Sequence, residues 1–258
     1  DDIEYRKANY RKGGELATLI VLSSEAARQD LVKFYPALLP KARVMHFVSE
    51  LPETVFEPLP NYVCKKYDLP EKFLYVPNQY WQHKNHALIV NAIALLTKEI
   101  PDLHIVFSGS QSDSRNPGHS EFLKNLINST GVRSNISELG IVPKEDVYAL
   151  MRQSCCLINV SKFEGWSSTV EEAKAIGKPL VLSSIDVHIE QNPPHALYVG
   201  VDDVSMLAGH ISEVWKMYPS GPNQDNERIA RENITERLSN FAHQFEQIIN
   251  EAFVLKHK

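Results

Sequence analysis

The stretch CCLINVSKFEGWSSTVEEAKAIGKPLVLSS, residues Cys155–Ser184, decides the fold. It opens on an unbroken apolar run, Cys155–Val160, of a length and character suited to a strand buried on both faces. A polar turn follows, and then a helical segment that starts at Ser168, with Glu171 three residues further on. That spacing is the pattern of a capping box, so it predicts the helix N-cap at Ser168 and gives Glu171 the task of capping. Gly177 and Pro179 close the helix as a C′ glycine and a following stop. Leu180–Ser184 is a second apolar run. Two near-continuously apolar strands joined by a helix predict parallel neighbours in a sheet covered on both sides.

The same rhythm extends outward. Strands are expected at 73–77, 103–108, 137–142, 155–160, 180–184 and 196–200. Helices are expected at 85–98, 120–130, 144–153, 168–176 and 203–217. Together they predict an α/β domain over 61–218 with a doubly wound, Rossmann-like parallel sheet. Residues 51–60, with Pro52, Pro58 and Pro60, read as a linker. Ahead of it, a strand at 17–22, a helix at 24–35 and a strand at 43–48 are too few to close a two-layer core. Residues 1–50, opening on Asp1, therefore read as the end of a truncated domain. In the tail, 219–258, the 3.6-residue spacing of Ile229, Ile234, Leu238, Phe241, Phe245, Ile248 and Ile249 predicts a long helix over 226–254.

Composition narrows the function. The chain has 258 residues with 27 basic against 32 acidic, a net charge of −5, and so lacks the basic excess of a nucleic-acid binder. Three cysteines make neither a disulfide framework nor a metal-ligand spacing, which points to a reducing, cytoplasmic setting. No apolar stretch approaches the roughly 20 residues of a membrane helix. Asp1-Asp2 does not open a signal peptide. Dinucleotide, P-loop, zinc and nucleophile-elbow motifs are all missing from the strand-to-helix turns, so no metal site is expected.

In such sheets, ligands bind beyond the carboxyl ends of the strands. After strand 155–160, Glu164 lies in the loop, and Gly165 gives that loop conformational latitude. The backbone N–H groups of Trp166, Ser167, Ser168 and Thr169 open toward an anion or sugar oxygens. Glu172, one position past Glu171, is available to a hydroxylated ligand. After strand 73–77, Asn78, Gln79 and Lys84 lead into a helix, where a cation would stabilise a pyrophosphate. Taken alone, Lys84 reads rather as a solvated surface lysine. Gly140-Ile141-Val142-Pro143 is a strand end before a proline-started helix. Tyr80 and Trp81 suit packing as well as stacking. His188, His195 and His210 show no partner and are assigned to core or surface, and Cys155 and Cys156 to an inert buried strand.

The pair Glu164 and Glu172, in the context FEGWSSTVEEAKAIGKPLVLS, resembles the EGFGLPxLEAMAxGxPVV signature of retaining GT-B glycosyltransferases of the family 4 (group 1) type. The likeness runs over essentially the whole chain and is strongest in the part similar to the family's C-terminal nucleotide-sugar-binding domain. Asn78 to Asn85 is similar to the G-R-x4-K-N donor loop, with Asn78-Gln79 standing where the family has Gly-Arg. Gly140–Pro143 is similar to the lGxvp turn, whose backbone frames the base.

The resemblance implies a UDP- or GDP-sugar as donor substrate, no cofactor, no metal, and a glycan or lipid-linked acceptor. It gives catalytic roles to Lys84, on the leaving diphosphate, and to Glu164, near the anomeric carbon. Glu172 would hold the ribose. Asn78, Gln79, Val142, Gly165, Trp166, Ser167, Ser168 and Thr169 would complete the donor site. It also makes residues 1–50 the end of an acceptor-side domain, to which the tail helix returns. A cytoplasmic protein follows, with peripheral contact at the inner membrane face through the absent domain. Three alternatives are carried: a GT-B epimerase or phosphorylase, a nucleotide-binding module without catalysis, and, least supported, an NAD-dependent oxidoreductase, which lacks its glycine fingerprint.

Overall fold

The computed structural model describes residues 2–57, 59–113 and 115–257. The chain divides into two compact units, one of residues 49–232 and one of 1–48 with 233–258. The first residues form helix α1 (Asp2–Leu16), which the sequence reading did not anticipate. Its side chains from Ile3 onward are exposed apart from Gly14, so there is no apolar stripe to betray a helix. Strand β1 (Ile20–Leu22), helix α2 (Glu25–Phe34) and strand β2 (Ala42–Val44) follow. The two strands pair in parallel. Ser24 caps α2, accepting from the Ala27 N–H at 3.0 Å.

The larger unit begins at Ser49. In the stretch read as a linker, Leu51 is buried, and Val55 and Phe56 pack on the core. Arg152 donates to the Val55 carbonyl at 2.7 Å and lays its guanidinium over the Phe56 ring. Helix α3 (Tyr62–Lys66) is one short turn, tied down by Asp146, which accepts from Tyr62 and Lys66. Then come β3 (Leu74–Pro77), α4 (His86–Leu96), β4 (Ile105–Ser108), α5 (His119–Ser129), β5 (Ile136–Glu138), α6 (Lys144–Gln153), β6 (Cys156–Asn159) and α7 (Ser168–Ile176). After them lie β7 (Leu180–Ser183), α8 (Asp186–Gln191), β8 (Ala196–Val199), α9 (Val204–Met217) and α10 (Gln224–Lys256).

The six strands β3 to β8 form one sheet in the order β5-β4-β3-β6-β7-β8, all neighbours parallel. The expected doubly wound α/β sheet is what the chain adopts. One face carries α4, α5 and α9 through Ile89, Ile93, Leu123, Leu207 and Ile211. The other carries α3, α6 and α7 through Val63, Leu150, Val170 and Ile176. Both faces of the central strands are therefore dry, as their continuous apolar runs demand. Cys155 and Cys156 sit in that interior, and burial pushes the Cys155 thiol up to about 11.

The tail helix starts at Gln224, slightly earlier than its apolar spacing indicates. Its first turns belong to the larger unit, where Glu227 accepts from the Arg152 guanidinium at 2.7 and 3.2 Å. Gly177 ends α7 with φ at 70°, and a Cβ there would lie 2.4 Å from the Asn226 carbonyl oxygen. In the smaller unit the later turns of α10 meet β2: Gln244 donates to the Val44 carbonyl at 3.0 Å, and Arg43 pairs with Glu251.

Candidate functional site

Strands β3 and β6 lie side by side, yet the chain leaves them toward opposite faces, into α4 and α7. This is the sheet's switch point, where a crevice opens beyond the strand ends. A buried hydrogen-bond chain lines its floor. Asn78, just past β3, donates to Asn159 Oδ1 at 3.4 Å, and Ser161 donates to the same oxygen at 2.7 Å. Asn159 in turn donates to Ser167 Oγ at 2.9 Å.

That last bond moves the helix start. The N-cap of α7 is Ser167, whose hydroxyl accepts from the Val170 N–H, and not Ser168, which is exposed. The capping-box assignment is thereby corrected: a tertiary contact from Asn159 outweighs the local pattern. Glu171 is no cap. It is 1 % exposed and accepts from Gln191 Nε2 at 3.1 Å and from Lys174 at 3.4 Å. Gln191 also clasps the Ser167 backbone, accepting its N–H at 3.1 Å and donating to its carbonyl at 3.0 Å. The turn that carries Glu164, Gly165 and Trp166 thus ends on a fixed anchor.

Lys84 and Glu164 meet across the crevice at 2.5 Å, both largely buried. Lys84 is aimed by its neighbours. Asn85 adopts a left-handed conformation at φ 61° and donates to the carbonyls of Val160 and Val201 at 3.2 and 2.8 Å. The Lys162 N–H donates to the His83 carbonyl at 2.7 Å. Burial, with Lys84 adding to it, holds the His83 imidazole below its ordinary value.

Backbone bonds also join the strand-end turns. The Tyr80 N–H donates to Ser110 O at 3.0 Å, and the Gly109 N–H to Gly140 O at 2.7 Å. Gln79 takes part through its side chain, its Oε1 accepting the Ser110 N–H at 2.6 Å. Val142 is half-buried against the core beside Leu139. Trp81 is covered by the Arg115 guanidinium, 4.7 Å from the ring centre. A cavity of about 680 Å³ opens beside this loop, lined by Gln82, His83, Asn116, His119, Phe122 and Lys162 among others.

Glu172 stands in the first turns of α7 and pairs with Lys144, the first residue of α6. Burial is the largest single influence on Lys144 and works against its charge, but the hydrogen bond and charge of Glu172, with Tyr148 beside them, together leave the ammonium above its ordinary value. Sequence reasoning missed Lys144, which looks like any helical surface lysine. It missed Asn159 and Gln191 as well, although a lone amide at the end of an apolar strand was a usable signal. His188, assigned to core or surface, is fully buried in α8, the helix that follows β7. Ser183 donates its only hydroxyl proton to Ser161 O, so His188 Nδ1 is the donor to Ser183 Oγ at 3.0 Å, and burial holds the imidazole below its ordinary value.

A model of the family described as glycosyl transferases group 1 matches residues 65–234, the segment that holds the whole crevice. The chain belongs to that family. Mannosylfructose-phosphate synthase of Agrobacterium fabrum is 25% identical to this group 1 chain over 103 residues, 39% of this chain and 23% of that one. Among solved structures, sucrose-phosphate synthase from Thermosynechococcus elongatus superposes with a TM-score of 0.76 at 17% identity, over 97% of this chain and 62% of that one. Anabaena HepE, in complex with UDP and glucose, superposes at 0.69 and 16% identity, over 91% of this chain and 67% of that one. This group 1 chain thus spans under a quarter of the first relative and about two thirds of the other two. Among the described residues, no helix is long and apolar enough to cross a membrane, and no three His, Cys, Asp or Glu residues are grouped to hold a metal ion.

Proposed function

We propose that this chain provides the nucleotide-sugar-binding half of a glycosyltransferase of the family 4 type. The enzyme would move a sugar from a UDP- or GDP-sugar to a glycan or lipid-linked acceptor with retention of anomeric configuration. The observation that carries the reading is the Lys84–Glu164 pair at the mouth of the switch-point crevice, 2.5 Å apart and largely buried. A lysine and a carboxylate so placed suit a donor whose diphosphate is anionic and whose anomeric carbon becomes positive as the bond breaks. The UDP and glucose held by HepE, a structural neighbour, support a donor of this class.

In this reading Lys84 turns from Glu164 to the diphosphate when donor enters. The first-turn amides of α7, at Ser168 and Thr169, face the same charge. Glu164 is then released to the transferred sugar, where it offsets the charge developing at the anomeric carbon. Asn78, Gln79, Gly165, Trp166 and Ser167 shape the pocket, Val142 borders the base, and Glu172 accepts from the ribose. The reading calls on no cofactor beyond the donor.

Titrating UDP, UMP and uridine, and the guanosine set, against the parent and Lys84→Ala tests it. Lys84→Ala is expected to remove most of the diphosphate's advantage over the bare nucleoside, roughly ten- to a hundredfold. An unchanged ratio would remove the loop at 77–85 from the phosphate site. A second reading, a nucleotide-binding module without catalysis, is favoured by one observation. Gln79 stands where the resemblance places an arginine, and its carbonyl oxygen is already committed to Ser110. Release of free sugar from the donor, measured with and without acceptor glycans, separates the two.

A further inference from the structure

We propose that Lys144 and Glu172 together read a vicinal diol, so that Lys144 is a nucleotide-contacting residue through which the site selects ribonucleotides over deoxyribonucleotides. The inference rests on the reading of Glu172 as the ribose partner and adds a residue which that reading leaves unused.

Lys144 occupies an electrostatically poor position. It is the first residue of α6, where the helix dipole disfavours a cation. Glu172, on the neighbouring helix α7, compensates. The two partners differ in burial: the Glu172 side chain is 11% exposed and that of Lys144 57%. Tyr148, one turn along α6, lies under the ammonium at 4.7 Å from the ring centre. The lysine is thus held between an aromatic face and a carboxylate, two residues after Val142.

An ammonium touching a carboxylate presents a donor and an acceptor side by side. Two hydroxyls on adjacent carbons present the same pair in reverse. One donates its proton to Glu172 while the oxygen of the other accepts from Lys144, whose three N–H groups allow it to keep its carboxylate contact. An ion pair with one well-exposed member is held weakly, so Lys144 can shift to admit the diol at little cost without leaving Glu172. Removing either hydroxyl leaves one member of the pair short of a partner, and sites built around hydrogen bonds discriminate strongly against such analogues.

The probes are UDP and GDP with their 2′-deoxy and 3′-deoxy counterparts, titrated against the parent, Lys144→Met, Lys144→Arg and Glu172→Gln. Urea unfolding of each variant checks that it folds. The parent is expected to prefer the ribonucleotide by about tenfold or more, and Lys144→Met to weaken that ligand by about tenfold. The penalty should vanish for the one deoxy analogue that lacks the hydroxyl served by Lys144, and Lys144→Arg should restore the preference. A Lys144→Met penalty of zero, or one equal for all three ligands, overturns the proposal. If Glu172→Gln leaves the ribo-to-deoxy ratio of the parent intact, the ribose reading itself fails. If Glu172→Gln collapses that ratio and Lys144→Met does not, only the role of Lys144 is lost. No binding of any probe by the parent overturns both.

Discussion

Glu171 and Glu172 are neighbours with separate tasks, and a pair of isosteric changes separates them. Glu171 is sealed among Gln191 and Lys174, so Glu171→Gln is expected to lower stability by about 1–3 kcal/mol and leave nucleotide affinity alone. Glu172→Gln should do the reverse, weakening UDP or GDP roughly ten- to a hundredfold with little loss of stability. Urea unfolding and titration calorimetry on both variants check this, and equal effects on binding would reject the division. His86 gives a second residue-scale test. It is fully buried, stacked on Tyr80 with ring centres 4.7 Å apart and edge-on to Phe107, and among the described residues neither ring nitrogen has a hydrogen-bond partner within 3.5 Å, though the Asn78 backbone favours its charged form slightly. Burial pushes its value down to about 3 from an ordinary 6.5. Between those values the unfolded chain binds a proton that the native one refuses. Stability from this group is therefore complete above the upper value and lost as pH falls through the window. His86→Phe should flatten that acid loss, by up to about 1.4 kcal/mol per pH unit, and be neutral or stabilising near neutrality. Denaturant midpoints at about pH 7 and about pH 5 read the difference.

At the scale of elements, the turns at the strand ends depend on Gly109. Its φ is 130°, and a Cβ there would fall 2.6 Å from the Asn78 carbonyl oxygen. Gly109→Ala is expected to cost about 1–3 kcal/mol from the backbone strain, and more from the clash, while shifting Asn78 and Gln79 and so weakening nucleotide binding. Gly209→Ala is the contrasting control. It is an exposed position inside α9 with open space around it, and the change should stabilise by about 0.5–1 kcal/mol. Thermal unfolding of both variants gives the comparison. Elements differed in how legible they were. Strands β3, β4, β6 and β7 could be found because burial on both faces makes apolar runs unavoidable. Helix α1 could not, since it is polar all round, nor could α3 and α8, which are too short to show a period. The candidate site drew attention where chemistry and spacing coincide, at Lys84, Glu164 and Glu172, the first two of which pair in the structure. It was illegible where a partner arrives from elsewhere in the chain: Lys144 is 28 positions from Glu172, and Gln191 is 24 from Ser167. The same reason displaced the start of α7 to Ser167, since Asn159 reaches it only once the sheet has formed.

For the molecule as a whole, the two units differ in what holds them. Residues 49–232 contain both apolar cores and the buried Arg152–Glu227 pair. In the smaller unit, Leu38, Ala42 and Ile248 are the buried apolar side chains among the described residues. A protein comprising only residues 49–232 is therefore expected to unfold in one cooperative urea transition and to bind UDP or GDP as the full chain does. A gradual transition, or loss of binding, would show that the smaller unit is required. The stitching of the strand-end turns has a further result for the exchange of amide hydrogens with solvent. Tyr80, Gly109, Ser110 and Lys162 lie outside helices and strands, where amides ordinarily trade their protons quickly. Yet each N–H is engaged by an oxygen on another turn of the crevice. These four should exchange at the slow rates of the sheet interior, because releasing any one requires two neighbouring turns to part together. The rim of the crevice would then open only when the sheet beneath it does, and a ligand arriving there would have little left to order.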